Sequence, residues 1–113
     1  MKIIYKSISR KELKKIASEK FGDLVKAVVD TEKEIMAIGG ELHADEEVLL
    51  MEQGGSKREY TWGINLYPEK SGEDFIEFDS VINLKPSFGN RSRGVEDREI
   101  REKIKQIVEK LVL

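Results

Sequence analysis

The chain has 113 residues, of which 39% are hydrophobic and 37% are charged, and its formal net charge is −2. This length is enough for one domain with a single core, and the near balance of charge gives no general attraction to nucleic acid or to anionic membranes. The absence of cysteine excludes disulfides and thiolate chemistry, and a single histidine excludes a multi-histidine metal site within one chain.

No segment has the length and apolarity of a signal peptide or of a membrane span. We therefore expect a soluble, cytoplasmic protein in which residues 1–113 form a single domain. Few Asn and Gln residues beside many Lys, Glu and Arg residues are typical of proteins from thermophiles.

The first predicted helix covers residues 10–20. Ser9 and Glu12 have the spacing of a capping box, apolar residues recur at helical spacing after them, and Gly22 follows the last of these. The preceding residues 2–8 (KIIYKSI) predict a short strand.

The next segment, residues 24–40, predicts a hairpin. Two apolar runs surround the polar residues 30–34, and a pair of glycines ends the second run. The first run, residues 24–29, is almost continuously apolar, which favours a central strand that is buried on both faces.

Residues 41–53 predict a short helix. Asp45, Glu46 and Glu47 stand near its start, where the positive end of the helix dipole favours acids. Apolar residues 48–51 follow them.

Residues 60–67 and 75–84 predict a second antiparallel pair of strands, with Pro68 ending the first. Gly63, inside the first of these strands, indicates a bulge or a close approach of another group to the backbone.

The chain ends in a predicted helix capped by Asp97, with an apolar stripe across residues 100–111. The helix must pack on the sheet, because this stripe is too large to leave in water. Together the elements predict an α+β fold, an antiparallel sheet of four to five strands with the helices packed on one face as a two-layer sandwich.

Four stretches of the sequence together resemble a family of small prokaryotic single-domain proteins of unknown function. They are GGELHADEE (39–47), WGINLYP (62–68), IEFDSVINLKP (76–86) and GNRSRGVEDREIREKI (89–104). The resemblance extends over nearly the whole chain and implies a compact single domain. It implies no activity, so the functional prediction depends on the residues themselves.

The segment LKPSFGNRSRGVED (84–97) collects positive charge in an otherwise acid-rich chain. No acid occurs between Ser80 and Val95, and the segment leads from a predicted strand to a helix start, where backbone N–H groups can converge on an anion. The predicted ligand-binding residues are Arg91, Arg93, Asn90, Ser92 and Lys85. The alternative is that both arginines pair with acids of the chain and that the glycines of the segment only form turns.

His43 lies between Glu41 and Asp45. On an extended segment these three side chains would share one side, which would orient the imidazole and raise its pKa, as a general acid or base requires. They are therefore the candidate catalytic residues. The alternative is a histidine that caps or packs at a helix start.

The leading hypothesis is a small binding module for an anionic ligand that carries phosphate or carboxylate, held where residues 85–95 meet residues 39–45. It requires neither a metal nor a cofactor. One alternative is a metal-assisted, phosphoesterase-like hydrolase in which His43 is the acid or base and Glu41, Asp45 or Asp79 hold Mg²⁺. Another is a structural or partner-binding domain, such as a homodimer joined through an edge strand. Nucleic-acid binding is not expected, because the chain is slightly acidic.

Overall fold

The computed structural model describes all 113 residues, which form five strands and three α-helices. The strands are β1 (Lys2–Ile4), β2 (Val25–Asp30), β3 (Ile35–Ile38), β4 (Thr61–Leu66) and β5 (Ile76–Glu77), and the helices are α1 (Arg10–Glu19), α2 (His43–Gln53) and α3 (Arg98–Leu111). No helix is both long enough and apolar enough to cross a membrane.

All strand pairs are antiparallel, and the strands lie in the order β1-β3-β2-β4-β5. The predicted α+β class and antiparallel sheet are thus confirmed, and so is the central position of β2. Every residue of β2 except Lys26 is buried, because β2 has a strand on each side and a layer of helix on each face.

The helices do not share one face of the sheet, which corrects the predicted two-layer arrangement. Val25, Ala27 and Val29 of β2 pack in the larger core cluster with α1 and α3, whereas Val28 packs in a second cluster with Leu50 of α2. The molecule therefore has three layers, with α1 and α3 on one side of the sheet and α2 on the other. Helical periodicity identifies a helix but carries no information about which face of a sheet the helix covers.

The helix starts confirm the sequence signals. The Ser9 hydroxyl accepts a hydrogen bond from the Glu12 N–H at 3.0 Å, and the Asp97 carboxylate accepts from the Glu99 N–H at 2.8 Å. The Glu12 side chain does not complete the capping box, since it pairs with the Lys2 ammonium at 2.9 Å.

The predicted strand 75–84 is wrong beyond Glu77. Only Ile76 and Glu77 pair with β4, and residues 81–83 form a 3₁₀ turn. The Ser80 hydroxyl, which accepts from the Ile82 N–H at 3.2 Å, caps this turn and ends the extended segment.

Candidate functional site

The residues after β5 do not continue the strand, and a side chain takes the place of a strand backbone beside β4. The Asn83 amide accepts from the Gly63 N–H at 2.8 Å and donates to the Gly63 carbonyl at 2.9 Å, so it pairs with β4 as a neighbouring strand would. A Cβ atom on residue 63 would lie 2.5 Å from the Ser80 Cβ. The predicted close approach of another group to the backbone of Gly63 is thus confirmed, and this group is the Ser80 side chain.

Asn90 holds the following loop together from inside. Its side-chain amide donates to the carbonyls of Asn83 (2.7 Å) and Gly94 (2.8 Å), and its carbonyl oxygen accepts from the Glu96 N–H (2.9 Å). Both ends of the amide are therefore occupied within the chain, and the side chain is buried.

Three further residues of the predicted anion site also use their polar groups inside the molecule. The Lys85 ammonium is buried and donates to the Arg58 carbonyl at 2.7 Å. Arg93 Nε lies 2.7 Å from the Asp79 carboxylate, and the Ser92 hydroxyl accepts from the Gly94 N–H at 3.2 Å.

Of the five predicted ligand residues, only Arg91 has a charged group with no hydrogen bond or ion pair within the chain, while the Arg91 backbone N–H donates to the Glu96 carboxylate at 2.9 Å. The structure thus brings the five predicted ligand residues into one loop but leaves a single cationic group free.

His43 is the first residue of α2 and is buried. Its Nε2 donates to the Ile64 carbonyl at 2.8 Å, and burial lowers the pKa of the imidazole, so the ring is neutral at pH 7. The expected rise of this pKa is not found, because the chain is helical from His43 onward and neither Glu41 nor Asp45 hydrogen-bonds to the ring. Glu41 instead lies 3.9 Å from the Lys20 ammonium.

No three His, Asp or Glu side chains converge in a way that could hold a metal ion. Five surface cavities of about 320 to 470 Å³ are lined by neither His43 nor Arg91. The geometry therefore offers no support for a shared catalytic cleft.

The unexpected feature of the molecule is the polarity of α2, which is reversed. Three of the residues that α2 turns toward the sheet are ionisable, namely His43, Glu46 and Glu47, all of them buried. In contrast, Val48 and Met51 on its outer side are 49% and 44% exposed. Surface helices of water-soluble proteins normally bury apolar residues and expose ionisable ones.

Glu46 is fully buried near the start of α2. One carboxyl oxygen accepts from the Gly40 N–H at 2.9 Å, and the other, Oε1, has no partner. Burial raises the pKa of the Glu46 carboxyl to about 9, so the group is protonated at neutral pH. On the sheet-facing side of a helix, an uncharged carboxyl group lowers the stability of the fold less than a carboxylate does. It still lowers the stability relative to an apolar residue.

Glu47, one residue further, is charge-compensated. It accepts from the Thr61 hydroxyl at 2.6 Å and lies 3.4 Å from the Arg58 guanidinium and 3.9 Å from the Lys85 ammonium. Burial lowers the pKa of Lys85 to about 8, and the nearby Glu47 carboxylate partly offsets this. These contacts fix α2 to β4 and to the loop that carries Lys85.

The exposed apolar residues of this layer lie on α2 and on the 3₁₀ turn that contacts it. Ala44, Val48 and Met51 follow each other at the i, i+4, i+7 spacing of one helix side, and the 3₁₀ turn that contacts α2 adds Val81, which is 62% exposed, and Leu84 just beyond it. We call these five residues the α2 surface. Exposed acids of α2, Asp45 and Glu52, border it, and α2 carries no lysine or arginine.

The sequence reasoning missed this surface, although a signal was present. His43, Glu46, Glu47 and Leu50 have the i, i+3, i+4, i+7 spacing of one helix side, so a buried leucine implies buried acids beside it.

Fold and surface together define a small three-layer α+β domain in which the loop after β5 is held by internal hydrogen bonds. The chain belongs to the family described as protein of unknown function, DUF5674, whose model matches residues 2–111. This confirms the resemblance to an uncharacterised family. The comparisons with curated proteins and with solved structures gave no match.

Proposed function

We propose that the domain is a protein-binding module that contacts its partner through the α2 surface. The observation that carries the proposal is the reversed polarity of α2, which buries ionisable groups against the sheet and exposes Val48 and Met51. Such an arrangement lowers the stability of the isolated domain, and exposed apolar patches in stable proteins mark sites where another molecule docks.

The border of the α2 surface indicates the chemistry of this partner. Asp45 and Glu52 are exposed, lie on α2 and make no ion pair within the chain. A partner segment with apolar residues flanked by Lys or Arg would cover the apolar stripe and neutralise both acids.

A second copy of the chain fits this surface less well. If two α2 helices packed against each other, each acidic border would face another acidic border, and α2 has no cation to separate them. The partner is therefore a different protein with a basic, apolar segment.

The anion-binding hypothesis retains one candidate contact, the Arg91 guanidinium. The geometry favours it less, because Lys85, Asn90 and Arg93 already have partners in the chain and line none of the five cavities described above.

Site-specific photocrosslinking tests the proposal. A photoreactive amino acid replaces Val81 at the edge of the α2 surface, or Lys11 on the exposed side of α1 as a matched control position. In the native cells we expect a defined adduct at position 81 and none at position 11. The adduct should disappear when Glu52→Lys or Val48→Asp is added. Equal adducts at both positions, or an adduct at 81 that neither substitution reduces, would reject the α2 surface as the docking site.

A further inference from the structure

A second surface lies on the opposite layer of the molecule, between α3 and the edge strand β5. Two adjoining cavities of about 460 and about 410 Å³ run along it and share Glu73, Ile76 and Lys105. The apolar residues of these cavities are Phe75, Ile76, Phe78, Val108 and Val112. We call this feature the α3–β5 groove.

The groove runs beside a strand edge that is open. Glu77 pairs with Asn65 and the Phe75 carbonyl accepts from the Tyr67 N–H at 2.9 Å, so the alternate residues Ile76 and Phe78 turn their backbone groups away from β4. The Phe78 N–H has no partner in the chain. The open edge ends at the Phe78 carbonyl, which Gly94 approaches closely, and the Ser80 N–H beyond it donates to the Arg93 carbonyl at 2.9 Å.

Positive charge gathers at the Phe78 end of the groove. Arg98, Arg101 and Lys105 line that cavity together with two acids, Glu73 and Glu102, and Glu102 already pairs with Lys105 at 3.5 Å. Arg98 has no ion pair, and the Arg101 guanidinium contacts only the backbone carbonyls of residues 95 and 96. This end of the groove is therefore able to accept carboxylates.

We propose that the α3–β5 groove binds an extended, acidic segment of a protein, which adds to the sheet beside β5. The backbone groups of Ile76 and the Phe78 N–H would pair with the segment, as in other cases of β-strand addition. Its alternate apolar side chains would enter the two cavities, and its acidic side chains would meet Arg98 and Arg101. This surface is separate from the α2 surface and lies on the other side of the sheet, so the domain would join two partner segments.

A second copy of the chain is a poorer occupant of the groove. Pairing of β5 with β5 would bring the cationic sides of two α3 helices together.

Fluorescence polarisation with short synthetic peptides tests the proposal. The probe is a labelled peptide of about seven residues that alternates valine with glutamate, since β-strands place alternate side chains on opposite faces. One control peptide has lysine for glutamate, and another has N-methylated valines that cannot pair with a strand edge. Two variants are compared with the wild type, Arg98→Glu in the first turn of α3 and the matched charge reversal Lys11→Glu in the first turn of α1.

We expect the acidic peptide to bind and the two control peptides to bind at least about tenfold more weakly. Arg98→Glu should weaken binding by about tenfold and Lys11→Glu by less than about twofold. The proposal is overturned if no acidic peptide binds, if the lysine or N-methylated peptide binds equally well, or if both variants have the same effect. It is also overturned if light scattering shows a dimer that Arg98→Glu dissociates, because a second copy would then occupy the groove.

Discussion

The two helical layers of this domain cover the same sheet in opposite ways. On one side, α3 buries Ile104, Ile107 and Leu111 and exposes its glutamates and most of its lysines. On the other side, α2 buries Glu46 and Glu47 and exposes Val48. The composition of the first layer thus favours stability, whereas we propose that the second layer presents a surface to another molecule.

The largest loss of stability should come from a substitution in the core beneath α3. Ile104→Ala removes a fully buried side chain from the larger core cluster and should lower the free energy of unfolding by about 2–5 kcal/mol. Val48→Ala on α2 is the matched control and should change it by less than about 0.5 kcal/mol. Urea unfolding of both variants measures the difference, and equal losses would show that the two layers contribute alike.

The next effect is the pH dependence that Glu46 imposes on the α2 layer. Its pKa is near 9 in the folded chain and 4.5 as the reference for an exposed glutamate. Between these values the unfolded chain releases the proton and the folded chain keeps it, so stability falls as the pH rises. From about pH 5 to about pH 8 this loss is on the order of 4 kcal/mol.

Glu46→Gln removes the titrating group and should flatten this part of the stability profile. Urea unfolding of wild type and variant at the two pH values measures the slopes. Their difference is the readout, because it is independent of any constant change in packing that the glutamine introduces. Parallel slopes would mean that Glu46 is ionised in the folded protein.

A smaller loss of stability should distinguish a structural role of Asn90, in the loop after β5, from a ligand-binding role. Asn90→Ala should cost about 1–3 kcal/mol, because it leaves several loop backbone groups without their partner. Ser92→Ala, two residues away and exposed, should cost less than about 0.5 kcal/mol. Thermal unfolding of both variants without any ligand tests this, and an unchanged melting temperature for Asn90→Ala would return Asn90 to the list of candidate ligand contacts.

The smallest effect is expected at Arg91. Its guanidinium has no partner, so Arg91→Ala should change the free energy of unfolding by less than about 0.5 kcal/mol. The thermal shift produced by phosphate or sulfate should be the same in this variant and in the wild type. A shift that is present only in the wild type would support the anion-binding hypothesis instead.

The α1–α3 layer was predictable from the sequence because its signals are local. Ser9 and Asp97 cap helices whose apolar residues recur at regular spacing, and both helix starts fall where these caps place them. The strand β2 was equally readable from its continuous apolar run.

The α2 layer was not predictable in the same way, because its contacts join residues far apart in the chain. Glu47 meets Thr61, and Asn83 pairs with the backbone of Gly63. Nothing in the local pattern shows that an acid will be buried or that an amide will replace a strand. The positive charge of residues 84–97 is evident in the sequence, but its pairing with Asp79 and with backbone carbonyls depends on the fold.

The contrast between the layers is tested most directly by the free energy of unfolding of the double variant Val48→Gln, Met51→Gln. Both glutamines keep good helix propensity, so the substitution removes only the apolar surface. If these side chains serve a partner, the isolated variant should be as stable as the wild type within about 0.5 kcal/mol, or more stable. A loss of about 2 kcal/mol or more would show that Val48 and Met51 stabilise the domain itself, and would contradict the α2 surface as a docking site.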